Sequence, residues 1–203
     1  MAVIISRRSS CRPNFATAPS FGSIRQWNCL REVQVMRIGV GELVQAAAVG
    51  VGATIVMDGV AEMLRRTRGS KSLDYAMVGR WLGHMPAGVF RHDPIMAAEP
   101  VPHEKELGWA AHYAIGTGFA VALAAADPGW LERPRFIPAV AWGLATLGAP
   151  WLLMQPCFGM GVAAAKTPNP KQARLGSLRA HTSYGVGIWL SGQLVHAVVH
   201  RRA

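Results

Sequence analysis

Four apolar stretches, separated by segments rich in charge and proline, dominate the pattern of this chain. They cover roughly residues 42–64, 107–126, 136–164 and 180–200. A helix needs about 20 apolar residues to cross the hydrocarbon core of a bilayer, and each stretch is about that long or longer. The pattern therefore predicts an all-α fold built on a four-helix transmembrane bundle.

The third stretch is longer than a crossing requires, and it contains Pro138, Pro150 and Pro156. A proline inside a membrane helix removes one backbone hydrogen bond and kinks the helix, and neighbouring helices can satisfy the carbonyl it frees. We expect either a bent or tilted helix across the whole stretch, or a helix that ends near Pro156. In the second case an interfacial piece continues through Gly159 and Gly161.

The connection between the first two stretches contains a helical pattern of its own. Apolar side chains recur there every four residues, at Leu73, Met77, Trp81 and Met85. This spacing places them on one face of a helix, and Ser72 is a suitable N-cap. We expect an additional interfacial amphipathic helix over residues 72–85, which serves as a structural element or, alternatively, as a lid over a site.

Small residues mark the places where helices are expected to meet. Pairs spaced four apart are Ala48 and Gly52, Ala114 and Gly118, and Gly187 and Ser191. Small side chains let backbones approach closely in lipid, where the hydrophobic effect does not drive helices together. Gly108 and Gly116 likewise lie four residues on either side of His112, so that a neighbouring helix or a ligand can approach this side chain.

The composition agrees with a membrane protein and argues against a nucleic-acid-binding one. Of the 203 residues, 51% are hydrophobic and only 16% are charged, against about 25% charged in soluble domains. The net charge is +10, but most basic residues lie beside the apolar stretches, where they bind anionic lipid headgroups. The expected partner is therefore the lipid bilayer, and we expect one membrane domain over residues 39–203.

The distribution of Lys and Arg predicts the orientation of the bundle. The first connection, residues 65–106, carries seven of them and the third, around residues 165–179, carries four, whereas the second carries two. Basic connections stay on the cytoplasmic side of a membrane. We therefore expect connections one and three in the cytoplasm and both termini in the periplasm.

Residues 1–38 form a basic segment before the first stretch. They contain no apolar run long enough for a secretory signal peptide, and we expect them to be poorly ordered. Met36 lies just upstream of the first apolar stretch. Two alternatives stay open: translation from Met1 with a basic tail, or translation from Met36 without one.

Five polar side chains interrupt the apolar stretches: Asp58, Glu62, His112, Gln155 and His181. Because consecutive spans run antiparallel, all five fall in the same leaflet, on the side of the two long connections. Asp58 and Glu62 share a helical face because they are four residues apart. An ionised carboxylate at membrane depth costs at least about 2.5–3.5 kcal/mol, so such groups usually face the bundle and pair.

Two interpretations of this polar layer stay open. In the first, Asp58 is the acceptor of a binding or proton-handling site. His112 or His181 is then its titrating partner, and Gln155 is an orienting donor. In the second, the layer is a hydrogen-bonded clamp between helices, and Glu62 simply reaches the headgroups.

The first connection supplies further side chains that could face the polar layer: Arg80, His84, Arg91, His92 and Asp93. The three cysteines, Cys11, Cys29 and Cys157, have no metal-type spacing. We therefore expect no metal site, and nothing in the sequence identifies a cofactor.

Five segments carry a resemblance to a known family: SLDYAMVGRWLGHM at residues 72–85, RHDP at 91–94, LGWAAHYAIG at 107–116, APWLLMQP at 149–156 and KTPNP at 166–170. They resemble a family of uncharacterised bacterial integral membrane proteins, which is grouped as a domain of unknown function. The resemblance covers about residues 40–198 and omits the amino-terminal segment. It implies the bacterial inner membrane and about four spans, but it brings no activity and no catalytic residue.

Three classes of function are compatible with the sequence. The protein is a structural or accessory membrane protein without chemistry, which we prefer, or a small transporter or channel subunit that works as a homo-oligomer. The third class is a membrane enzyme acting on a lipid or quinone headgroup, with Asp58 and His112 as an acid–base pair.

Overall fold

The computed structural model describes residues 39–70 and 74–201, and all regular structure in these residues is helical. The helices are α1 Val40–Arg68, α2 Tyr75–His84, α3 Glu104–Ala126, α4 Phe136–Ala145, α5 Gln155–Cys157 and α6 Pro170–His200. The predicted all-α class is confirmed. The expectations for the amino-terminal segment, including the start at Met36, lie outside the described residues.

Three helical segments are long and apolar enough to cross a membrane: Val40–Arg68, Glu104–Ala126 and Phe136–Cys157. They contain the first two predicted stretches and most of the third, which indicates a membrane protein. α6 has 31 residues, but its mean hydropathy is too low for it to count as a candidate membrane span beside these three. The fourth crossing therefore stays a prediction.

The third span is irregular where prolines interrupt it. Between α4 and α5 lies a π-helical turn, Ala149–Met154, which contains Pro150, a residue without an N–H to donate to the preceding turn. The span ends at Cys157 and not at residue 164. Gly159 follows with a φ of 80°, in the left-handed region that favours glycine and ends helices. The alternative of a helix that ends near Pro156 is therefore confirmed.

α6 begins at Pro170, earlier than the predicted start at residue 180. Asn169 caps the helix, because its side chain accepts a hydrogen bond from the Gln172 N–H at 3.2 Å. Proline suits the first helical position, where its missing N–H would have no partner. This capping signal extends the helix into the third connection, which the apolar pattern alone did not reveal.

α2 lies within the predicted amphipathic helix of residues 72–85. Its N-cap is Asp74, whose side chain accepts a hydrogen bond from the Ala76 N–H at 3.0 Å. The predicted N-cap, Ser72, lies outside the described residues. The helix itself is confirmed, whereas its position at a membrane surface stays a prediction.

α2 crosses the start of α3 with the two backbones in contact. A Cβ added at Gly79 would lie 1.7 Å from the Glu104 carbonyl oxygen, and one added at Gly108 would lie 1.8 Å from the Tyr75 carbonyl oxygen. No larger residue fits at either position without moving a helix. The expectation that a helix approaches at Gly108 is confirmed.

α1 and α6 pack in an antiparallel pair through small residues. A Cβ at Gly52 would lie 2.4 Å from the Ser191 hydroxyl oxygen, and one at Gly187 would lie 3.0 Å from the Val56 Cβ. Positions rise along α1 as they fall along α6, which sets the antiparallel direction. The predicted contacts at Gly52, Gly187 and Ser191 are confirmed.

α1 and α3 also pack antiparallel, but not through the predicted pair on α3. Gly116 is in contact with Thr54, since a Cβ there would lie 2.2 Å from the threonine hydroxyl oxygen. Ala114 is exposed, and an added Cβ at Gly118 would meet nothing within 4 Å. The prediction for Ala114 and Gly118 was wrong because the contact face of α3 lies two residues away. Ala48 is exposed as well.

α4 packs antiparallel against the other side of α6. A Cβ at Gly143 would lie 2.6 Å from the Gly185 Cα, and the side chains of Thr146 and His181 are hydrogen-bonded one turn further on. α6 therefore lies between α1 and α4.

The core between α1, α3 and α6 consists mostly of small and medium-sized side chains. Its buried members on these helices are Ala46, Val49, Ala53, Ala120, Leu123, Ala124, Tyr184 and Ile188. The buried ring of Trp130, in the second connection, packs close to Gly192. Small side chains keep the helices close together, which brings their polar groups into hydrogen-bonding distance.

Candidate functional site

The carboxylate of Asp58, on α1, accepts hydrogen bonds from three side chains of two other helices. Its Oδ1 is 3.2 Å from the Tyr75 hydroxyl and 3.0 Å from His112 Nε2, and its Oδ2 is 3.1 Å from the Tyr113 hydroxyl. The Asp58 side chain is 19% exposed and the His112 side chain 13%. A carboxylate inside an apolar helix is thus satisfied by donors from α2 and α3.

His112 Nε2 lies within reach of two partners. It is 3.0 Å from Asp58 Oδ1 and 3.1 Å from the Tyr75 hydroxyl oxygen. The contact with the carboxylate requires a proton between the two atoms, because two lone pairs at this distance repel. A hydrogen bond therefore joins Asp58 and His112.

The helix crossings position these side chains. Tyr75 is the first residue of α2, and the close approach of α2 at Gly108 brings its hydroxyl over the next turn of α3, where His112 lies. The contact of Thr54 with Gly116 holds α1 against the next turn of α3 after His112. Three helix axes therefore converge on one histidine.

Tyr75 acts as a hydrogen-bond donor in this cluster. Burial raises the pKa of its hydroxyl, and the negative charge of Asp58 raises it further. The phenol consequently keeps its proton at physiological pH. Its ring packs against Trp109, with a centroid separation of 4.4 Å.

A cleft of about 220 Å³ opens beside Asp58, and its lining residues are Asp58, Ala61, Glu62, Asp74, Tyr75, Lys105 and Trp109. A carboxylate offers about four acceptor positions. Three are used within the cluster, which leaves one acceptor position on Oδ2 without a hydrogen-bond partner among the described residues.

Glu62 lies at the cleft but does not join the Asp58 cluster. Its carboxylate forms ion pairs with Arg65 at 2.6 Å and with Arg66 at 2.5 Å, and all three side chains are well exposed. This position agrees with the interpretation in which Glu62 reaches the headgroup region.

His181 and Gln155 occupy other parts of the bundle. The Thr146 hydroxyl donates to the Gly143 carbonyl at 2.6 Å, and its oxygen lies 2.7 Å from His181 Nδ1. Gln155 is buried, and its Oε1 has no hydrogen-bond partner among the described residues. Within the same residues neither side chain is bonded to Asp58.

Arg80 fastens α2 to the start of α3. Its guanidinium forms two hydrogen bonds of 2.8 Å to the carboxylate of Glu104, and it also donates to the Ala98 carbonyl at 3.1 Å. A bidentate pair of this kind fixes orientation as well as distance. Arg80 therefore positions α2 and does not line the cleft.

Two of the four remaining candidates of the first connection, His84 and His92, form a separate pair. His84 Nδ1 lies 2.7 Å from His92 Nε2. Burial lowers the pKa of His92, and the neighbouring His84 lowers it further, so His92 is neutral at physiological pH. Arg91 and Asp93 are exposed. The structure thus does not bring these four residues to Asp58.

A comparison with protein families shows to which family the chain belongs. The family described as "Protein of unknown function (DUF2938)" matches residues 47–195, which is most of the chain. The chain belongs to this family. The resemblance of the sequence motifs to a family of unknown function is confirmed, and the match contains Asp58, Tyr75, His112 and Tyr113. Neither the search of curated proteins nor the search of solved structures finds a match.

Membership in DUF2938 carries no activity, so the chemistry must come from the site. Among the described residues, no three His, Cys, Asp or Glu side chains are placed so that they could hold a metal ion. The groups that the site offers are a carboxylate, an imidazole and two phenols.

Three members of the site were missed in the sequence: Tyr75, Tyr113 and Trp109. The residues chosen from the sequence carry carboxylates, imidazoles, guanidinium groups or an amide, and phenols and indoles are none of these. A signal was available for Tyr113, which directly follows His112 in an apolar helix. Tyr75 had none, because its contact with Asp58 depends on how α2 crosses α3.

Proposed function

We propose that this chain is a four-pass membrane protein of the bacterial inner membrane that binds the headgroup of a membrane amphiphile in the cleft beside Asp58. In this proposal α1, α3, α6 and the segment Phe136–Cys157 cross the bilayer, and α2 lies at the membrane surface. The protein acts as a binding or accessory protein, without chemistry.

The packing of α6 supports a fourth crossing. α6 runs antiparallel to α1 and to α4, which belong to segments apolar enough to span. Its contacts with them extend from His181, beside Thr146, to Gln193, whose side chain donates to the Pro134 carbonyl at 3.4 Å. A helix enclosed along this length by two spans lies at the same depth as they do.

The distribution of basic residues supports the orientation, with connections one and three in the cytoplasm. We expect a reporter fused after Ala203 to be periplasmic and one fused after Lys171, in the third connection, to be cytoplasmic. Alkaline phosphatase, active only in the periplasm, and a fluorescent protein that folds in the cytoplasm distinguish the two. If both reporters were cytoplasmic, the crossing by α6 would be contradicted. If the reporter after Ala203 were cytoplasmic and the one after Lys171 periplasmic, the orientation would be contradicted.

The open acceptor position on Asp58 is the single observation that carries the binding proposal. Asp58 lines the cleft together with Tyr75 and Trp109, and the carboxylates of the lining outnumber its one lysine, Lys105. Such a lining suits a headgroup with an N–H donor, such as an ammonium group, because cations are attracted to carboxylates and to aromatic faces.

Two observations favour binding over the alternatives. Arg80 and His84, which an acid–base enzyme could use, are engaged with Glu104 and His92 and do not line the cleft. Conduction needs polar groups at several depths, but residues 114–126 of α3 and 136–145 of α4 carry no charged side chain.

The test compares two short-chain lipids that differ in one feature. Phosphatidylethanolamine has an N–H donor, whereas phosphatidylcholine has none. We expect the ethanolamine lipid at about 100 times its Kd to raise the Tm of the detergent-purified protein by on the order of 5 °C, and the choline lipid to raise it by less. Equal shifts would contradict a donor that enters the cleft.

Matched variants separate specific binding from detergent effects. Ala61 lines the cleft without contributing to the hydrogen bonds of Asp58, so Ala61→Phe is expected to fill the cleft and remove the shift. Ala114 is exposed on α3, away from the cleft, and Ala114→Phe is expected to keep it. A full shift in Ala61→Phe would refute the proposed site.

A further inference from the structure

Two large apolar side chains are exposed side by side in the first connection. Val89 is 42% exposed and Phe90 is 58% exposed. They follow Gly88, whose φ of 77° turns the chain after α2. Neighbouring apolar side chains that a fold leaves exposed often mark contact with a partner or with a membrane.

The backbone around these side chains is held in place. Phe90 accepts a hydrogen bond at its carbonyl from Trp81 Nε1 at 2.8 Å. Two residues on, the His92 N–H donates to the Cys157 carbonyl at 2.8 Å. Ile95 is fully buried, and its N–H donates to the Phe158 carbonyl at 3.1 Å. The exposed pair therefore belongs to a fixed segment.

These hydrogen bonds place the pair at the end of a span. The segment Phe136–Cys157 has 22 residues, which is about 33 Å of helix, and the hydrocarbon core is about 30 Å thick. Cys157 therefore lies at the edge of the hydrocarbon. Phe90 is separated from His92, which is bonded to Cys157, by at most about 7 Å of chain.

We propose that Val89 and Phe90 insert into the acyl-chain region of the leaflet on the side of the first connection. The next residue, Arg91, is exposed and basic, so it lies at the level of the anionic headgroups. The segment is a shallow lipid anchor that holds the end of α2 at the membrane surface, next to the end of the span Phe136–Cys157.

Lipid is a better occupant than a second protein. Two side chains are too small a surface for a stable protein interface, which buries about 800 Å² on each partner. A bilayer requires no larger surface, since it already surrounds the neighbouring span.

The test uses the full chain with its three native cysteines replaced, reconstituted in vesicles. A nitroxide spin label is attached to Phe90→Cys, and its collisions with oxygen, which concentrates in lipid, and with a water-soluble nickel complex are measured. Ile137→Cys, 78% exposed on the span, is the lipid reference. Glu99→Cys, exposed in the same connection, is the water reference.

We expect the label at residue 90 to behave like the one at residue 137, with several-fold more frequent collisions with oxygen than with nickel. Collisions like those at residue 99 would overturn the proposal. Protection from both reagents would also overturn it, because another part of the protein would then cover the segment. If the label at residue 137 collided mainly with nickel, both this proposal and the membrane crossing of Phe136–Cys157 would be overturned.

Discussion

Replacement of Asp58 by leucine is expected to lower the free energy of unfolding by about 3 kcal/mol, because Tyr75, His112 and Tyr113 then lose their common acceptor. Each unsatisfied buried donor costs about 1–3 kcal/mol, and water entering from the cleft recovers part of this cost. The loss is measured by reversible unfolding of the purified protein in mixed micelles.

Glu62→Leu is the matched control, since it removes a carboxylate one turn along the same helix. Its partners, Arg65 and Arg66, are exposed and stay hydrated without it, so little change is expected. Asp58→Asn keeps an acceptor oxygen and should fall between the two leucine variants. Equal losses for Asp58→Leu and Glu62→Leu would refute the claim that the Asp58 cluster contributes more stability than the exposed ion pairs of Glu62.

Gly108→Ala is expected to destabilise the protein by at least about 3 kcal/mol, the upper part of the range for overpacking a core. The new methyl group would lie 1.8 Å from the Tyr75 carbonyl oxygen. The obstacle is backbone, so α2 must move away from α3 and carry the Tyr75 hydroxyl away from Asp58. Unfolding in mixed micelles measures the loss, and weaker binding of the ethanolamine lipid should accompany it.

Gly118→Ala provides the control on the same helix. An added Cβ at Gly118 meets nothing within 4 Å, so this variant should be as stable as the native protein or more stable, since alanine favours helix. If both alanine variants kept native stability, the close crossing of α2 and α3 would be refuted.

The interaction between Asp58 and His112 was within reach of sequence reasoning. Two ionisable residues placed at similar depths in antiparallel helices must find partners inside the bundle, and these two lie near each other for that reason. The same argument predicts His181 and Gln155 in the same leaflet, but depth does not determine which face of a helix points where. Only the rotation of α4, α5 and α6 directs His181 to Thr146.

The first connection was harder to predict than the spans. Its helix was visible in the apolar spacing, but its candidate polar residues divided into pairs that no spacing shows. Arg80 reaches Glu104, 24 residues away, and His84 reaches His92 across a turn that depends on Gly88. These contacts depend on where the chain turns back, which is a property of the folded connection as a whole.

The motifs of the sequence indicated a family of unknown function. The sequence by itself also determined the helical class, three segments able to cross a membrane and the helix in the first connection. These features follow from local composition and spacing, because the length of an apolar run and the period of a stripe are one-dimensional quantities. Only the tertiary structure decided that Tyr75 and Tyr113 complete the acceptor shell of Asp58 and that a cleft opens beside it. Those contacts depend on glycines that let backbones touch, and the angle at which two helices cross there is set by packing in three dimensions.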